Sequence, residues 1–276
     1  MVDQPEKKDD SVVDAMIPVD EHVEEVALDG HQVRRKGIYL LPNLFTTAAL
    51  FCGFYAVVSA MSGAFSAASI AIFVAMILDG LDGRVARLIN AQSKFGAEYD
   101  SLSDMVSFGV APALVSFSWA LQELGKFGWM VAFIYTACAA LRLARFNTQV
   151  ETADNRFFTG LPSPSAAAVV AGMVWAFSDC DVDGSNMMVA ILGAVVTCLS
   201  GILMISNFRY NSFKKLDFKG RVPFFFILVM VLCFAVVFTD PPRVLLAIFL
   251  AYACSAPIVA IIKIGGINPK KFDSHQ

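Results

Sequence analysis

The chain has 276 residues, of which 57% are hydrophobic and 16% are charged, and its mean hydropathy is +0.63. Soluble domains carry about 25% charged and about 45–50% apolar residues, so this composition indicates a membrane protein. It excludes a disordered, collagen-like or disulfide-stapled chain, and the net charge of −3 argues against a nucleic-acid-binding protein.

The N-terminal segment is the one stretch with the composition of a soluble chain. Residues 1–36 hold ten of the 24 acidic residues, and they contain no long apolar run. We predict that residues 1–37 form an acidic, mostly disordered cytoplasmic tail. A transmembrane domain is expected over residues 38–265, followed by a short cytoplasmic tail over residues 266–276.

Apolar runs follow one another from residue 38 onward. A helix needs about 20 apolar residues to cross the hydrocarbon core of a bilayer. The sequence therefore predicts an all-α, polytopic membrane helical bundle with about eight transmembrane helices. The predicted spans lie near residues 39–61, 64–80, 100–121, 127–145, 163–179, 186–206, 222–239 and 243–263.

The distribution of lysine and arginine predicts how these spans are oriented. Of the 21 basic residues, 19 lie in the N-terminal tail, in the loops at 81–99, 141–162 and 207–221, and in the C-terminal end from Lys263 onward. The opposite set of loops contains only Lys126 and Arg243. Because basic residues are enriched in cytoplasmic loops, we expect both termini to be cytoplasmic, which agrees with an even number of spans.

Four aspartates stand at the predicted cytoplasmic ends of the second and third spans. Asp79 and Asp82 are three residues apart, and Asp100 and Asp104 are four apart, so each pair shares one face of a helix. A charged group at membrane depth costs at least about 2.5–3.5 kcal/mol. If the two helices are neighbours, the four carboxylates converge on one small volume.

Converging carboxylates require protons or cations to relieve their repulsion. Two divalent ions would neutralise all four, and hard oxygen ligands favour Mg²⁺ or Mn²⁺, which keep coordination positions open for phosphate oxygens. Small residues at Gly83 and Ala86 leave one helix face bare for a ligand, and Arg87 is placed to pair with phosphate oxygens. Two alternatives are aspartates that only cap helix ends and an ion pathway in a cation transporter. A transporter would place its charges nearer the bilayer midplane.

The same segment resembles the signature of the CDP-alcohol phosphatidyltransferase family, D-x2-D-G-x2-A-R-x8-G-x3-D-x3-D. Every fixed position of the signature is matched, by Asp79, Asp82, Gly83, Ala86, Arg87, Gly96, Asp100 and Asp104. The resemblance implies that the first three aspartates hold one metal ion and that the first, third and fourth hold another. It also implies that Asp104 is the catalytic base that deprotonates the attacking alcohol.

The resemblance extends to residues expected to bind CDP-diacylglycerol. Gly83 and Arg87 would contact the cytidine diphosphate group beside Ala86, and Ser93 matches a hydroxyl position often counted with them. The segment from Pro42 to Thr46 resembles the family's P-N-x-x-T sequence, which places Asn43 and Thr46 beside the nucleotide. These two residues would otherwise only cap or pack the start of a helix.

The acceptor alcohol is suggested by a second resemblance. Residues 140–147, 158–164 and 206–214 resemble the bacterial integral-membrane members of the family that use L-serine. Arg142 and Arg145 would bind the serine carboxylate, with help from Asn147. The alternative role for these arginines is to anchor a helix at lipid phosphates.

The resemblance implies that the protein transfers the phosphatidyl group of CDP-diacylglycerol to the hydroxyl of L-serine. It also implies a homodimer. The expected location is the inner (cytoplasmic) membrane, with the active site on the cytoplasmic side. Two alternatives remain open at this point: another acceptor, such as glycerol phosphate, inositol, inositol phosphate or choline, and a cation transporter.

Overall fold

The computed structural model describes residues 27–28, 31–32, 40–88, 94–149, 157–182, 184–211 and 224–264. The N-terminal unit contributes two short strands, β1 (Ala27–Leu28) and β2 (His31–Gln32), which pair antiparallel. Almost all of the predicted tail over residues 1–37, and all of the tail over residues 266–276, lie outside the described residues. The predicted domain boundaries therefore stay predictions.

The membrane domain is built from helices that follow one another along the chain. They are α1 (Leu40–Met61), α2 (Phe65–Leu88), α3 (Lys94–Asp104), α4 (Ala111–Trp119), α5 (Lys126–Gln149), α6 (Ser163–Asp179), α7 (Met187–Ile205), α8 (Phe224–Thr239) and α9 (Pro241–Ile264). A π-helical segment (Met105–Val110) joins α3 to α4, and a 3₁₀ turn (Leu121–Leu124) precedes α5. Strands β3 (Phe157–Thr159) and β4 (Arg209–Asn211) form a small antiparallel sheet.

The predicted all-α membrane bundle is confirmed. Six helical segments among the described residues are long and apolar enough to cross a membrane. Helical segments also lie at the other two predicted spans, but α6 and α8 have only 17 and 16 residues. A helix perpendicular to the membrane needs about 20 residues to cross it, so the count of eight spans stays a prediction. The cytoplasmic position of both termini, which depends on that count, stays a prediction as well.

Two helices extend further than the hydropathy pattern predicts. Helix α2 continues to Leu88 rather than ending near residue 80, and α3 begins at Lys94 rather than near residue 100. Hydropathy falls where charged residues begin, whereas backbone hydrogen bonding continues through these polar turns. As a result all four aspartates of the signature lie within helices.

Small residues allow the helices of the domain to pack closely. Helix α1 packs along α2, α2 packs against α6, and α5 packs against α7. Buried alanines dominate the core between α1, α2, α4 and α6, including Ala56, Ala68 and Ala75. At Gly53 of α1, an added Cβ would lie only 2.8 Å from the Cα of Ser107. Small side chains at such crossings are the usual means by which membrane helices approach one another.

This close contact yields a prediction about stability. Gly53→Ala should lower the free energy of unfolding by about 1–3 kcal/mol, because the backbone of the π segment would have to move away from α1. Thermal unfolding of the purified protein in detergent measures the effect. Gly80→Ala is the matched control, since an added Cβ there meets no atom within 4 Å among the residues that the structure describes. A Gly53→Ala protein as stable as the Gly80→Ala protein would contradict the packing described.

Candidate active site

Three of the four signature aspartates meet between α2 and α3. One carboxylate oxygen from each of Asp79, Asp100 and Asp104 lies within 4.8 Å of the other two. Asp79 comes from the second half of α2, and the four-residue spacing of Asp100 and Asp104 puts both on one face of α3. The sequence predicted that these carboxylates converge, and the structure brings these three together.

The fourth aspartate has a different partner. Asp82 is buried, with 6% of its surface exposed, and its Oδ2 accepts a hydrogen bond from the Thr46 hydroxyl of α1. Its charge still repels those of Asp79 and Asp100. Asp82 therefore lies at the edge of the cluster, where Thr46 holds its carboxylate.

Helix α1 is also hydrogen-bonded to α3, which carries Asp100 and Asp104, and to the π segment that follows α3. The Ser103 hydroxyl donates to the Thr46 carbonyl at 3.1 Å, and the Ser107 hydroxyl donates to the Ala49 carbonyl at 3.1 Å. Sequence reasoning missed both serines. Their signal is the four-residue spacing, which places both hydroxyls on one helix face close to Asp104.

The donor set of the cluster fits a divalent cation. Asp79, Asp100 and Asp104 are all partly buried and repel one another, so a positive charge among them would be strongly favoured. The candidate ligand atoms found among the described residues are carboxylate oxygens, which are the ligands that hard ions such as Mg²⁺, Mn²⁺ and Ca²⁺ prefer.

The residues assigned to the nucleotide lie along the end of α2 and the start of α1. An added Cβ at Gly83 would meet no atom of the described residues within 4 Å, so this face of α2 is open to a ligand in the part of the chain that the structure describes. Arg87 is exposed, and its Nε donates to the Gly83 carbonyl at 2.8 Å. Ala86 and Asn43 are partly exposed, whereas Thr46 is buried against Asp82 rather than open to a ligand. Ser93 lies outside the described residues.

The three residues assigned to serine lie at the end of α5 and make separate contacts. Arg142 Nη1 donates to Ser163 Oγ at 2.8 Å, Arg145 Nη2 donates to Asn207 Oδ1 at 3.0 Å, and Asn147 Nδ2 donates to Ser101 Oγ at 3.1 Å. Of these three side chains, Arg142 is the one whose charge acts on Asp104. Its hydrogen-bond partner is Ser163, which belongs to the 158–164 segment of the resemblance but was given no role of its own there.

The contact between Thr46 and Asp82 yields a second prediction. Thr46→Val removes the hydroxyl and leaves a buried carboxylate without this donor, which should lower the free energy of unfolding by about 1–3 kcal/mol in EDTA. Thr46→Ser keeps the hydroxyl and should remain close to the wild type. Thermal unfolding of the three proteins measures the difference. Equal stabilities of the Thr46→Val and Thr46→Ser proteins would contradict a stabilising hydrogen bond from the Thr46 hydroxyl to Asp82.

Comparison with known proteins assigns this site to a family. The model of the CDP-alcohol phosphatidyltransferase family matches residues 39–200, which include every described residue of the aspartate cluster. Two relatives described as CDP-diacylglycerol–serine O-phosphatidyltransferases are similar over most of the chain. The Helicobacter pylori (strain J99) protein is 39% identical over 82% of this chain and 94% of its own length, and the Mycobacterium bovis protein is 36% identical over 81% and 79%.

A Bacillus subtilis protein of the same description is 34% identical over 63% of this chain and 92% of its own length. The family match covers more than half of the chain, and the helices that could cross a membrane make the protein a multi-pass membrane protein. The chain belongs to the CDP-alcohol phosphatidyltransferase family.

Proposed function

We propose that the protein transfers the phosphatidyl group of CDP-diacylglycerol to the hydroxyl of L-serine, giving phosphatidylserine and CMP. The relatives that cover most of the chain carry this description. The observation that carries the proposal for this chain is the position of Arg142, whose charge acts on Asp104. Arg142 lies in the 140–147 segment that resembles serine-using members of the family. A carboxylate-bearing alcohol bound there would have its hydroxyl beside the aspartate cluster.

Asp79, Asp100 and Asp104 would hold a divalent ion, and Asp82 would complete a set for two ions. The oxygen-only ligands favour Mg²⁺ or Mn²⁺. When bound, such ions neutralise the diphosphate and stabilise the charge on the leaving oxygen.

The nucleotide end of the donor would lie along the open face of α2. Gly83 and Ala86 let a ligand approach the helix backbone, and the exposed guanidinium of Arg87 supplies hydrogen bonds to phosphate oxygens. Asn43, at the start of α1, would contact the cytidine or ribose. Thr46 would act on this site through Asp82, which it already contacts.

Asp104 would take the proton of the serine hydroxyl. The freed oxygen then attacks the phosphorus that bears the diacylglycerol group, a new phosphorus–oxygen bond forms, and the bond to the oxygen bridging to CMP breaks. A serine hydroxyl is a weak nucleophile by itself, so a positioned base contributes to the rate. Arg142 would bind the carboxylate during this step, with Arg145 and Asn147 nearby.

The lipid tails of the donor and product require the site to open toward the bilayer. The distribution of basic residues supports an active site on the cytoplasmic side of the inner (cytoplasmic) membrane, with both termini on that side. Family resemblance supports a homodimer that associates through membrane helices.

The base assignment is tested by Asp104→Asn. The change keeps the size of the side chain but removes the proton acceptor, so CMP release should fall by at least about a hundredfold while the protein stays folded. Asp179→Asn is the matched control, since this exposed carboxylate lies at the far end of α6 from Ser163. An Asp104→Asn protein with wild-type turnover would remove the assignment.

The acceptor is tested with purified protein, CDP-diacylglycerol and Mg²⁺ or Mn²⁺, comparing serine with glycerol phosphate, inositol, inositol phosphate and choline. We expect CMP release that depends on serine and a phosphatidylserine product. CMP release that depends on another alcohol would support the role of the aspartates in the reaction and would exclude serine as the acceptor. If the folded, metal-bound protein releases no CMP with any acceptor, the result would favour the alternative function, a cation transporter.

A further inference from the structure

One buried nitrogen of the Arg142 guanidinium has no hydrogen-bond partner among the described residues. This nitrogen is Nε, which is shielded from solvent, whereas Nη1 donates to Ser163. A buried donor without a partner is costly, and the cost is greater for a charged group. A ligand with an anionic oxygen would satisfy it.

Three other polar side chains in this region already have hydrogen-bond partners. Arg145 is held by Asn207, and Asn147 is held by Ser101. The Tyr135 hydroxyl, which lies within electrostatic range of Arg142, already donates to the Phe108 carbonyl at 3.1 Å. Compared with these three groups, Arg142 is the one with a shielded donor left to bind a carboxylate.

Ser163 is well placed to hold the guanidinium still. It is fully buried and is the first residue of α6. The preceding segment is anchored by backbone hydrogen bonds from Gly160 to Phe208 at 2.9 Å and from Leu161 to Leu203 at 3.0 Å. Gly160 has φ +81°, and an added Cβ there would collide with the backbone of Met204, so the turn requires glycine.

The sheet beside this turn is itself fixed to α9. Tyr210 of β4 pairs with Phe158 of β3, and its buried hydroxyl donates to the Ala253 carbonyl at 2.9 Å. Burial, reinforced by the neighbouring Tyr252, raises the pKa of Tyr210 to about 12, so the hydroxyl keeps its proton at neutral pH. The contact of β3 with β4 thus gives Ser163 a rigid support.

We propose that Ser163 is a positioning residue that sets acceptor specificity, by holding Arg142 so that its Nε–H faces the carboxylate of the acceptor. The inference rests on the proposed function. Two carbon atoms separate the hydroxyl of serine from its carboxylate carbon, so a hydroxyl at Asp104 places the carboxylate toward a neighbouring cation. The acceptor class recognised is a small hydroxy compound with a free carboxylate, and amides or amino alcohols of the same size are disfavoured.

The test compares L-serine with L-serinamide, in which a neutral amide replaces the carboxylate. Ser163→Ala should raise the KM for serine about tenfold, the equivalent of one hydrogen bond, while kcat and the KM for CDP-diacylglycerol stay near their wild-type values. The preference for serine over serinamide should fall by the same factor. Ser116→Ala is the matched control: Ser116 is equally buried, and its hydroxyl pairs with Thr197 at 3.0 Å.

Arg142→Lys gives a second test of the carboxylate preference if the Ser163→Ala protein does not fold. It keeps the positive charge but lacks the Nε–H and the planar fork, so it should lose the same preference. Unchanged preference in either folded variant, or an equal rise in both KM values, would overturn the role of Ser163. A wild-type protein that does not use serine would instead refute the proposed function, and the two failures are thereby distinguished.

Discussion

The mutual repulsion of carboxylates within a helical bundle is the constraint on which the rest of this structure depends. Asp79, Asp100 and Asp104 bring their oxygens within 4.8 Å of one another, and the charge of Asp82 reaches two of them. Such an arrangement is unfavourable unless cations or protons relieve it. A bundle that keeps it must hold the two helices together by contacts elsewhere.

Helix α1 supplies those contacts. Its Thr46 binds Asp82 of α2 through the side chain and Ser103 of α3 through the backbone, so one residue connects both helices that carry aspartates. Further along, Gly53 lets α1 lie against the π segment that directly follows Asp104. The site thus has a rigid side, formed by α1, and an open side at Gly83, where a ligand can approach α2.

Local spacing made much of this site predictable. Intervals of three and four residues place Asp79 with Asp82 and Asp100 with Asp104 on shared helix faces, and hydropathy located the helices themselves. The contacts between helices were not predictable. Nothing in the spacing of Pro42 to Thr46 indicates that Thr46 faces Asp82 rather than a nucleotide. The hydrogen bond of Arg142 with Ser163 joins two different helices, which spacing along the chain does not indicate.

The most direct test of the account is thermal unfolding of the wild type and of Asp100→Asn, each in EDTA and in saturating Mn²⁺. In EDTA the variant should unfold at a higher temperature, because it has lost one of the repelling charges. Mn²⁺ should stabilise the wild type by binding the folded state, and it should stabilise the variant much less, so that the order reverses. A wild type that gains no more from Mn²⁺ than the variant does would contradict the claim that these aspartates form a divalent metal site.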